Sequence, residues 1–287
     1  METTPQKKSG MVVMVGRSNT GKSTLLNSLV GSKIAITTPK PQTTRHTIHG
    51  VIHDPRGQIV FVDTPGIFTQ VPDHLTGVLN EKARNAVQGI DALLYVVDPT
   101  RHVGQEEQAV HRLVSQSNVP KILVLNKSDQ KRPYLDEYMD WKDEFAAIVD
   151  VSALQQKNLG TLVDAVLAQL PYGELLYPEG QMTNVENNFW LAELIREKVF
   201  MTMHEEIPYS TTVTVEEVAD RPDGTTYIKA TIVTNAERYK KMLIGARGRT
   251  VKLIGTTVRK ELELVLGKKI FIDLDVDIDE RWQEKFE

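Results

Sequence analysis

MVVMVGRSNTGKSTLL, residues 11–26, is the stretch from which the fold follows. Its first five residues, 11–15, are uniformly apolar and read as a strand buried on both faces. The chain then passes through Gly16, Gly21, Lys22 and Ser23 before apolar residues return at Leu25 and Leu26, the start of a helix expected over 22–30. Strand, glycine-bounded loop ending in Gly-Lys-Ser, then helix is the Walker A arrangement. A bound polyphosphate demands these residue types. Backbone N–H groups and a helix N-terminus turn toward the anion, Gly21 lets the main chain approach, Lys22 supplies a point charge, and the Ser23 hydroxyl suits Mg²⁺. Gly16, Asn19, Thr20 and Thr24 complete the expected contact set.

Outward from this stretch, short β-branched runs alternate with amphipathic ones as far as residue 170. Strands are expected at 11–15, 47–53, 58–62, 92–97, 121–125 and 147–151, with helices at 22–30, 79–88, 105–116, 135–145 and 159–170. This is the pattern of an α/β fold whose mostly parallel sheet is covered by helices. Asp54-Pro55-Arg56-Gly57 is a turn signal, so the second and third strands should form an antiparallel hairpin. Pro171-Tyr172-Gly173 and Pro178-Glu179-Gly180 punctuate the chain, giving a domain over 1–173, a linker over 174–184 and a second domain over 185–287. The second domain reads α-β-β-α-α-β: a helix at 187–201, strands at 211–218 and 225–234, helices at 236–244 and 250–266, and a strand at 269–276. That is a smaller α+β unit.

Three further motifs each follow an expected strand, at the sheet edge where open α/β folds bind ligands. Asp63-Thr64-Pro65-Gly66 places a carboxylate where it can hold Mg²⁺ and a glycine N–H where it can sense a terminal phosphate. Asn126-Lys127-Ser128-Asp129 offers a carboxylate to guanine N1–H and its exocyclic amine. Adenine lacks that donor pair, so it would leave a buried carboxylate unpaired. Ser152-Ala153-Leu154 supplies a backbone N–H for guanine O6.

With these residues the first domain resembles a Ras-like P-loop GTPase. The resemblance implies GTP and GDP as ligands, Mg²⁺ as cofactor, a first switch over 31–46 and a second from Gly66 to about Leu79. A switch threonine completes the Mg²⁺ shell; alignment on Arg45 favours Thr44, with Thr43 the alternative. Lys22, Thr44 and Gly66 are then the catalytic candidates, and Ser23, Thr44 and Asp63 the metal set. Ile67 stands where such enzymes carry a water-orienting glutamine. Intrinsic turnover should therefore be slow, on the order of 10⁻² s⁻¹ or below. Asn19 has two readings: a turn residue tolerant of left-handed backbone, or a ligand for K⁺ beside the phosphates, as in GTPases related to Era.

In the second domain, Gly245-Ala246-Arg247-Gly248 lies between two expected helices, followed by Arg249 and Lys252. This arrangement resembles a type II KH domain, whose Gly-x-x-Gly loop brings backbone close to the phosphates of single-stranded RNA. Residues 238–269 hold ten basic and two acidic side chains, a net of +8, whereas the whole chain carries −4. The average hides the patch because the last fifteen residues are acidic, with seven acidic and two basic side chains.

The similarity to the Era family of bacterial GTPases spans both domains. It includes Pro39-Lys40-Pro41-Gln42-Thr43-Thr44-Arg45-His46, Glu206-Ile207-Pro208-Tyr209-Ser210-Thr211-Thr212 and the run from Ile244 to Gly255. Ser18 and Thr20 depart from the family's usual Pro and Val but leave the loop glycines, Asn19, Lys22 and Ser23 intact. The resemblance implies binding near the 3′ end of small-subunit ribosomal RNA, a role in assembling the pre-ribosomal small subunit, a monomeric state, and peripheral contact with the inner face of the cell membrane in some members.

Composition narrows the chemistry. With no cysteine among 287 residues, disulfides, thiolate metal sites and a cysteine nucleophile are excluded. Residues 1–10 are polar and the run 11–15 is far too short for a signal-peptide core, so a cytoplasmic chain is expected. His46, His49 and His53 have metal-like spacing, but Gly50, Pro55 and the surrounding β-branched residues make 47–53 a strand. Phe189, Trp190 and Phe200 read as core, and Asp273, Asp275, Asp277 and Asp279 as the polar face of an edge strand. Two other function classes use parts of the pattern. A small-molecule kinase would leave Asn126-Lys127-Ser128-Asp129 without purpose, and a passive RNA-binding module would leave the Walker loop without turnover.

Overall fold

A strand buried on both faces belongs in the interior of a sheet, and β1 (Lys8–Val15) lies there, paired in parallel with β3 (Gly57–Asp63) on one side and β4 (Ala92–Val97) on the other. The computed structural model describes residues 7–66 and 74–285. Their contacts separate two units that divide between Asn184 and Val185.

In the first unit the sheet order is β2-β3-β1-β4-β5-β6, with β2 (Ile48–Asp54), β5 (Lys121–Leu125) and β6 (Ala147–Asp150) completing it. Only the β2–β3 hairpin is antiparallel, closed by Asp54 opposite Gly57. The helices are α1 (Lys22–Val30), α2 (His74–Asn85), α3 (Gln105–Ser115), α4 (Leu135–Met139) and α5 (Leu159–Gln169). One core joins Val13, Leu93, Tyr95 and Leu123 of the sheet to Ala83, Val110, Val114 and Tyr138 of α2, α3 and α4. This parallel arrangement brings the loops after β1, β3, β4, β5 and β6 to one edge.

Several elements differ from the sequence expectation for physical reasons. β1 begins three residues early, because Lys8, Ser9 and Gly10 pair in register with Gly57, Gln58 and Ile59 despite their polarity. The helix expected at 135–145 breaks after α4 into a 3₁₀ turn at Lys142–Glu144. Trp141 stacks on His111 with centroids 3.9 Å apart, a packing that periodicity alone does not specify. The helix expected at 79–88 is α2, five residues earlier at its start. Of the second switch, residues 67–73, Ile67 among them, lie outside the described residues, and 74–79 belong to α2.

The stretch expected as a linker, 174–184, is knitted onto the hairpin. Val51 N–H donates to Met182 O at 2.8 Å, and Thr183 bridges to Gly50. The Gln58 side chain is fully buried: its Oε1 accepts from the Leu176 and Tyr177 amides at 2.9 and 3.0 Å, and its Nε2 donates to Tyr177 O at 2.8 Å. His49 and His53 meet the Tyr177 hydroxyl and the Gln181 carbonyl.

The second unit contains α6 (Asn187–Thr202), β7 (Thr211–Asp220), β8 (Thr226–Thr234), α7 (Glu237–Ile244), α8 (Arg249–Leu266) and β9 (Ile270–Ile278). The sheet order is β7-β8-β9; the first pair is antiparallel and the second parallel, so α7 and α8 form the crossover. Ile228, Ala230 and Ile232 of β8 pack with Leu194, Ile195 and Val199 of α6 and Ile254, Val258 and Leu262 of α8. Along β9, Asp273, Asp275 and Asp277 are exposed, alternating with half-buried apolar residues.

Gln58→Leu supplies no replacement for one acceptor and one donor that hold three main-chain groups of Leu176 and Tyr177 to the hairpin. Equilibrium urea unfolding of the full chain should show a loss of about 2–3 kcal/mol, accompanied by faster proteolysis within 174–184.

Candidate functional site

The phosphate loop is held from inside. Gly21 precedes α1 with φ +95°, and a Cβ there would lie 2.4 Å from Asn126 Nδ2, so only glycine fits. No side chain caps α1, which leaves its first-turn amides turned toward the pocket in front of the loop. That pocket opens to solvent and is lined by the loop, by residues of the first switch and by Gly66. Lys22 folds back over the loop, donating to Gly16 O at 2.8 Å and Arg17 O at 3.0 Å. Burial lowers its amine to about 8, against the opposing pull of Asp63 and Glu107. Nearby anionic oxygens would stabilise its charged form.

Ser23, Thr44 and Asp63 converge beside Lys22. Ser23 Oγ donates to Asp63 Oδ2 at 2.5 Å and lies 2.9 Å from Thr44 Oγ1. Burial raises the Asp63 carboxyl to about 6; Lys22, Ser23, Thr64 N–H and Thr44 offset part of that. Asp63 Oδ1 is buried without a hydrogen-bond partner of good geometry. An orphaned carboxylate oxygen beside two hydroxyls is an all-oxygen donor set suited to Mg²⁺. Thr43 is turned elsewhere, into the switch itself, with its Oγ1 2.7 Å from Thr38 Oγ1 and 2.7 Å from Lys40 O. Asn19 has left-handed φ +61° and donates to Pro39 O at 2.7 Å, so its backbone serves a turn while its carboxamide reaches the first switch.

At the base end, one side chain ties three loops together. Asn126 Nδ2 donates to Thr20 O at 2.8 Å, while its Oδ1 accepts from Ala153 N–H at 3.0 Å. Ser152 Oγ donates to Asp129 Oδ1 at 2.6 Å, fixing that carboxylate. Leu154 is 75% exposed, so its side chain takes no part in packing. Lys127 turns its amine to Asp98 Oδ2 at 2.6 Å. Burial pushes the Asp98 carboxyl up, but hydrogen bonds from Lys127 and Thr100 outweigh it and hold the group below the usual carboxylate range.

In the second unit, Gly245 has φ +71°, and a Cβ would lie 2.2 Å from Thr250 Oγ1. Gly248 caps α8 at φ +73° with open space around its Cβ position. Between them Ala246 and Arg247 are exposed, and Arg247 is itself left-handed at φ +54°. Arg249 and Lys252 are exposed on the first turn of α8. A groove of about 750 Å³ opens between α8 and β9, lined by Lys252, Gly255, Arg259, Phe271 and Leu274 among others.

Sequence reasoning missed Arg17, Asp98, Arg101, Glu107 and Tyr138, which pack behind the phosphate loop. Arg17 and Glu107 form an ion pair at 2.8 Å with both side chains nearly excluded from solvent. The one sequence signal was Asp98 directly after strand β4, the position that the other motifs occupy after their strands.

Comparison with known proteins gives a family for each unit. Residues 11–127 match the family described as 50S ribosome-binding GTPase, and 206–283 match the KH domain. The chain is 39% identical to GTPase Era of Halothermothrix orenii, covering 97% of this chain and 95% of that protein. It is 42% identical to GTPase Era of Trichlorobacter lovleyi over 97% and 95%. A crystal structure of Era with MgGDPNP and nucleotides 1506–1542 of 16S ribosomal RNA superposes with a TM-score of 0.90 at 36% identity, covering 97% of this chain and 96% of that one. An Aquifex aeolicus Era variant bound to GDP·AlF₄⁻ also gives 0.90, at 35% identity over 97% and 96%.

Asn126→Ala should release the Thr20 carbonyl and the Ala153 amide together. Titration with a fluorescent GDP should show affinity reduced by about thirtyfold or more, as expected for two buried main-chain groups left unpaired.

Proposed function

This chain belongs to the Era family of GTPases, and on that premise we propose that it couples GTP hydrolysis to binding of small-subunit ribosomal RNA near its 3′ end, as a switch in assembly of the small ribosomal subunit. The observation that carries the reading is the coexistence in one chain of a buried oxygen cluster beside the phosphate loop and an exposed glycine-bounded loop at the head of a basic helix.

In the proposed reaction the α1 amides and Lys22 hold the β- and γ-phosphates. Ser23, Thr44 and Asp63 would hold Mg²⁺, which neutralises phosphate charge when bound. Thr44 is assigned over Thr43 because its hydroxyl is the one within hydrogen-bond reach of Ser23. Asp129, steadied by Ser152, reads the guanine N1–H and amine. The Ala153 amide is spent on Asn126, so the Leu154 amide is the assigned donor to guanine O6. Gly66 senses the γ-phosphate through its N–H.

On the RNA side, Gly245 to Gly248 bring backbone to phosphate, and Arg247, Arg249 and Lys252 supply charge. The chain is proposed to act as a monomer. Peripheral contact with an anionic membrane face would draw on the same basic stretch. Among the described residues no helix is long and apolar enough to cross a membrane.

Both glycines have positive φ, so either substitution carries backbone strain, but Gly248→Asp tests the RNA reading better than Gly245→Asp, because a Cβ at Gly248 meets nothing whereas one at Gly245 collides with Thr250. The variant should bind a 3′-terminal fragment of small-subunit ribosomal RNA about tenfold or more weakly, with GTP affinity unchanged, through repulsion at the phosphate-facing loop. Unaltered RNA affinity would remove the KH loop from the interface.

The potassium role of Asn19 is decided by single-turnover hydrolysis in KCl against NaCl at equal ionic strength. Faster hydrolysis in KCl, lost in Asn19→Ala, is the expected result; equal rates leave Asn19 as a turn residue.

A further inference from the structure

The loop after β4, residues 98–104, carries no nucleotide motif, yet buried charge joins it to the phosphate loop. Glu107, in the first turn of α3, has a fully buried side chain. It pairs with Arg17 Nε at 2.8 Å, accepts from the Tyr95 hydroxyl at 2.6 Å and lies 3.2 Å from the Tyr138 hydroxyl. Arg17 also donates to His102 O at 3.2 Å and to the Tyr138 hydroxyl at 3.0 Å. Arg17 Nε lacks hydrogen-bond geometry toward Glu107, so that pair is a contact of charges, and the Nη bonds to His102 O and the Tyr138 hydroxyl set the direction of the planar fork.

Arg17 is itself part of the phosphate loop. Its carbonyl accepts from Lys22 Nζ at 3.0 Å and Thr20 Oγ1 at 3.3 Å. The next carbonyl, Ser18 O, accepts from Arg101 Nη1 at 3.1 Å. On the other side of Ser18 stands Gly66, so close that a Cβ there would lie 2.9 Å from Ser18 Cα. The corner formed by residues 17 and 18 thus touches both groups assigned to the terminal phosphate, Lys22 and Gly66. Stability alone does not account for the pair, since apolar residues of similar volume commonly replace a buried ion pair without loss. The network of pair and Nη hydrogen bonds adds a fixed direction.

Resting on the reading of the chain as a GTP-hydrolysing enzyme, we propose that Arg17 and Glu107 are positioning residues of the hydrolysis reaction. Their ion pair, with the Arg17 Nη bonds to His102 O and the Tyr138 hydroxyl, fixes the 17–18 corner of the phosphate loop, and through it the Lys22 amine and the seat of Gly66, while Arg101 closes the corner through Ser18 O. Nucleotide affinity is spread over many loop amides, Asn126 and Asp129. Alignment for phosphoryl transfer depends on a few groups, and small displacements of such groups are costly in rate.

The test replaces the network by an apolar one: Arg17→Met, Glu107→Leu and Tyr95→Phe combined. The expected variant unfolds near the wild-type temperature and binds GDP and GTP within about threefold of wild type, yet its single-turnover hydrolysis at saturating GTP falls by about tenfold to a hundredfold. Arg101 is half-buried and holds the corner by a side-chain hydrogen bond to Ser18 O. Arg101→Ala should lower hydrolysis by about threefold to tenfold at unchanged GDP affinity, and Arg101→Lys should recover part of the loss. A folded triple variant hydrolysing within about twofold of wild type overturns the proposal, as does an equal loss of rate and affinity, which marks general loosening. Should the triple variant fail to fold, Arg101→Ala decides: wild-type hydrolysis there overturns the proposal, and a rate-only loss supports it. Wild-type protein that binds guanine nucleotide without hydrolysing it would instead refute the enzymatic reading, and the proposal with it.

Discussion

The first-turn amides of α1 have no side-chain cap, and the groups around them are already in a low-dielectric setting: Lys22 is buried and Asp63 is buried beside it. A chain left to itself would not concentrate uncapped donors, a desolvated amine and an orphaned carboxylate oxygen in one place. Such a site is stable because the parallel sheet holds it. β1 and β3 are hydrogen-bonded neighbours, so the loop after one and the carboxylate after the other emerge side by side. β4 and β5 extend the same edge, and Asn126 at the end of β5 reaches back to Thr20. The sheet is thus a jig that keeps mutually repelling or unsatisfied groups near one another until an anion and a cation complete them.

Residues assigned to a nucleotide were legible because its chemistry dictates type and spacing within a few consecutive positions. Gly21-Lys22-Ser23, Asp63 to Gly66 and Asn126 to Asp129 are of this kind, each readable without the rest. The supporting residues were not legible, because their meaning lies in partners far away in sequence. Arg17 meets Glu107, Lys127 meets Asp98, and Gln58 meets Leu176 and Tyr177. Read alone, Glu107 is one more acidic residue at the start of a helix, where the dipole favours it anyway. The same holds for 174–184, whose proline and glycine signal an irregular path but not that the path follows a sheet edge.

The choice between Thr43 and Thr44 shows where sequence stops and geometry begins. Two adjacent threonines have identical chemistry, and extended or turning backbone sends their side chains in different directions. Gln42, just before them, is left-handed at φ +56°. The turn leaves Thr43 bonded within the switch and Thr44 facing Ser23. No periodicity argument reaches that difference, since periodicity does not specify a positive φ at a residue other than glycine.

The two units use one device in two settings. In each, a glycine of positive φ precedes a helix without a side-chain cap: Gly21 before α1, Gly248 before α8. Around Gly21 the device is backed by a buried lysine and fitted with a buried carboxylate for a cation, which suits a compact and highly charged anion. Around Gly248 it is open, with Arg247, Arg249 and Lys252 exposed and a groove running on along α8. An open site of exposed cations suits a polymer whose charges are spaced along a chain. Its electrostatics are screened by salt, whereas those of the buried Lys22 and Asp63 are screened much less. A chain of net charge −4 can therefore hold two anion sites of different kinds, because what each anion meets is local geometry and local charge.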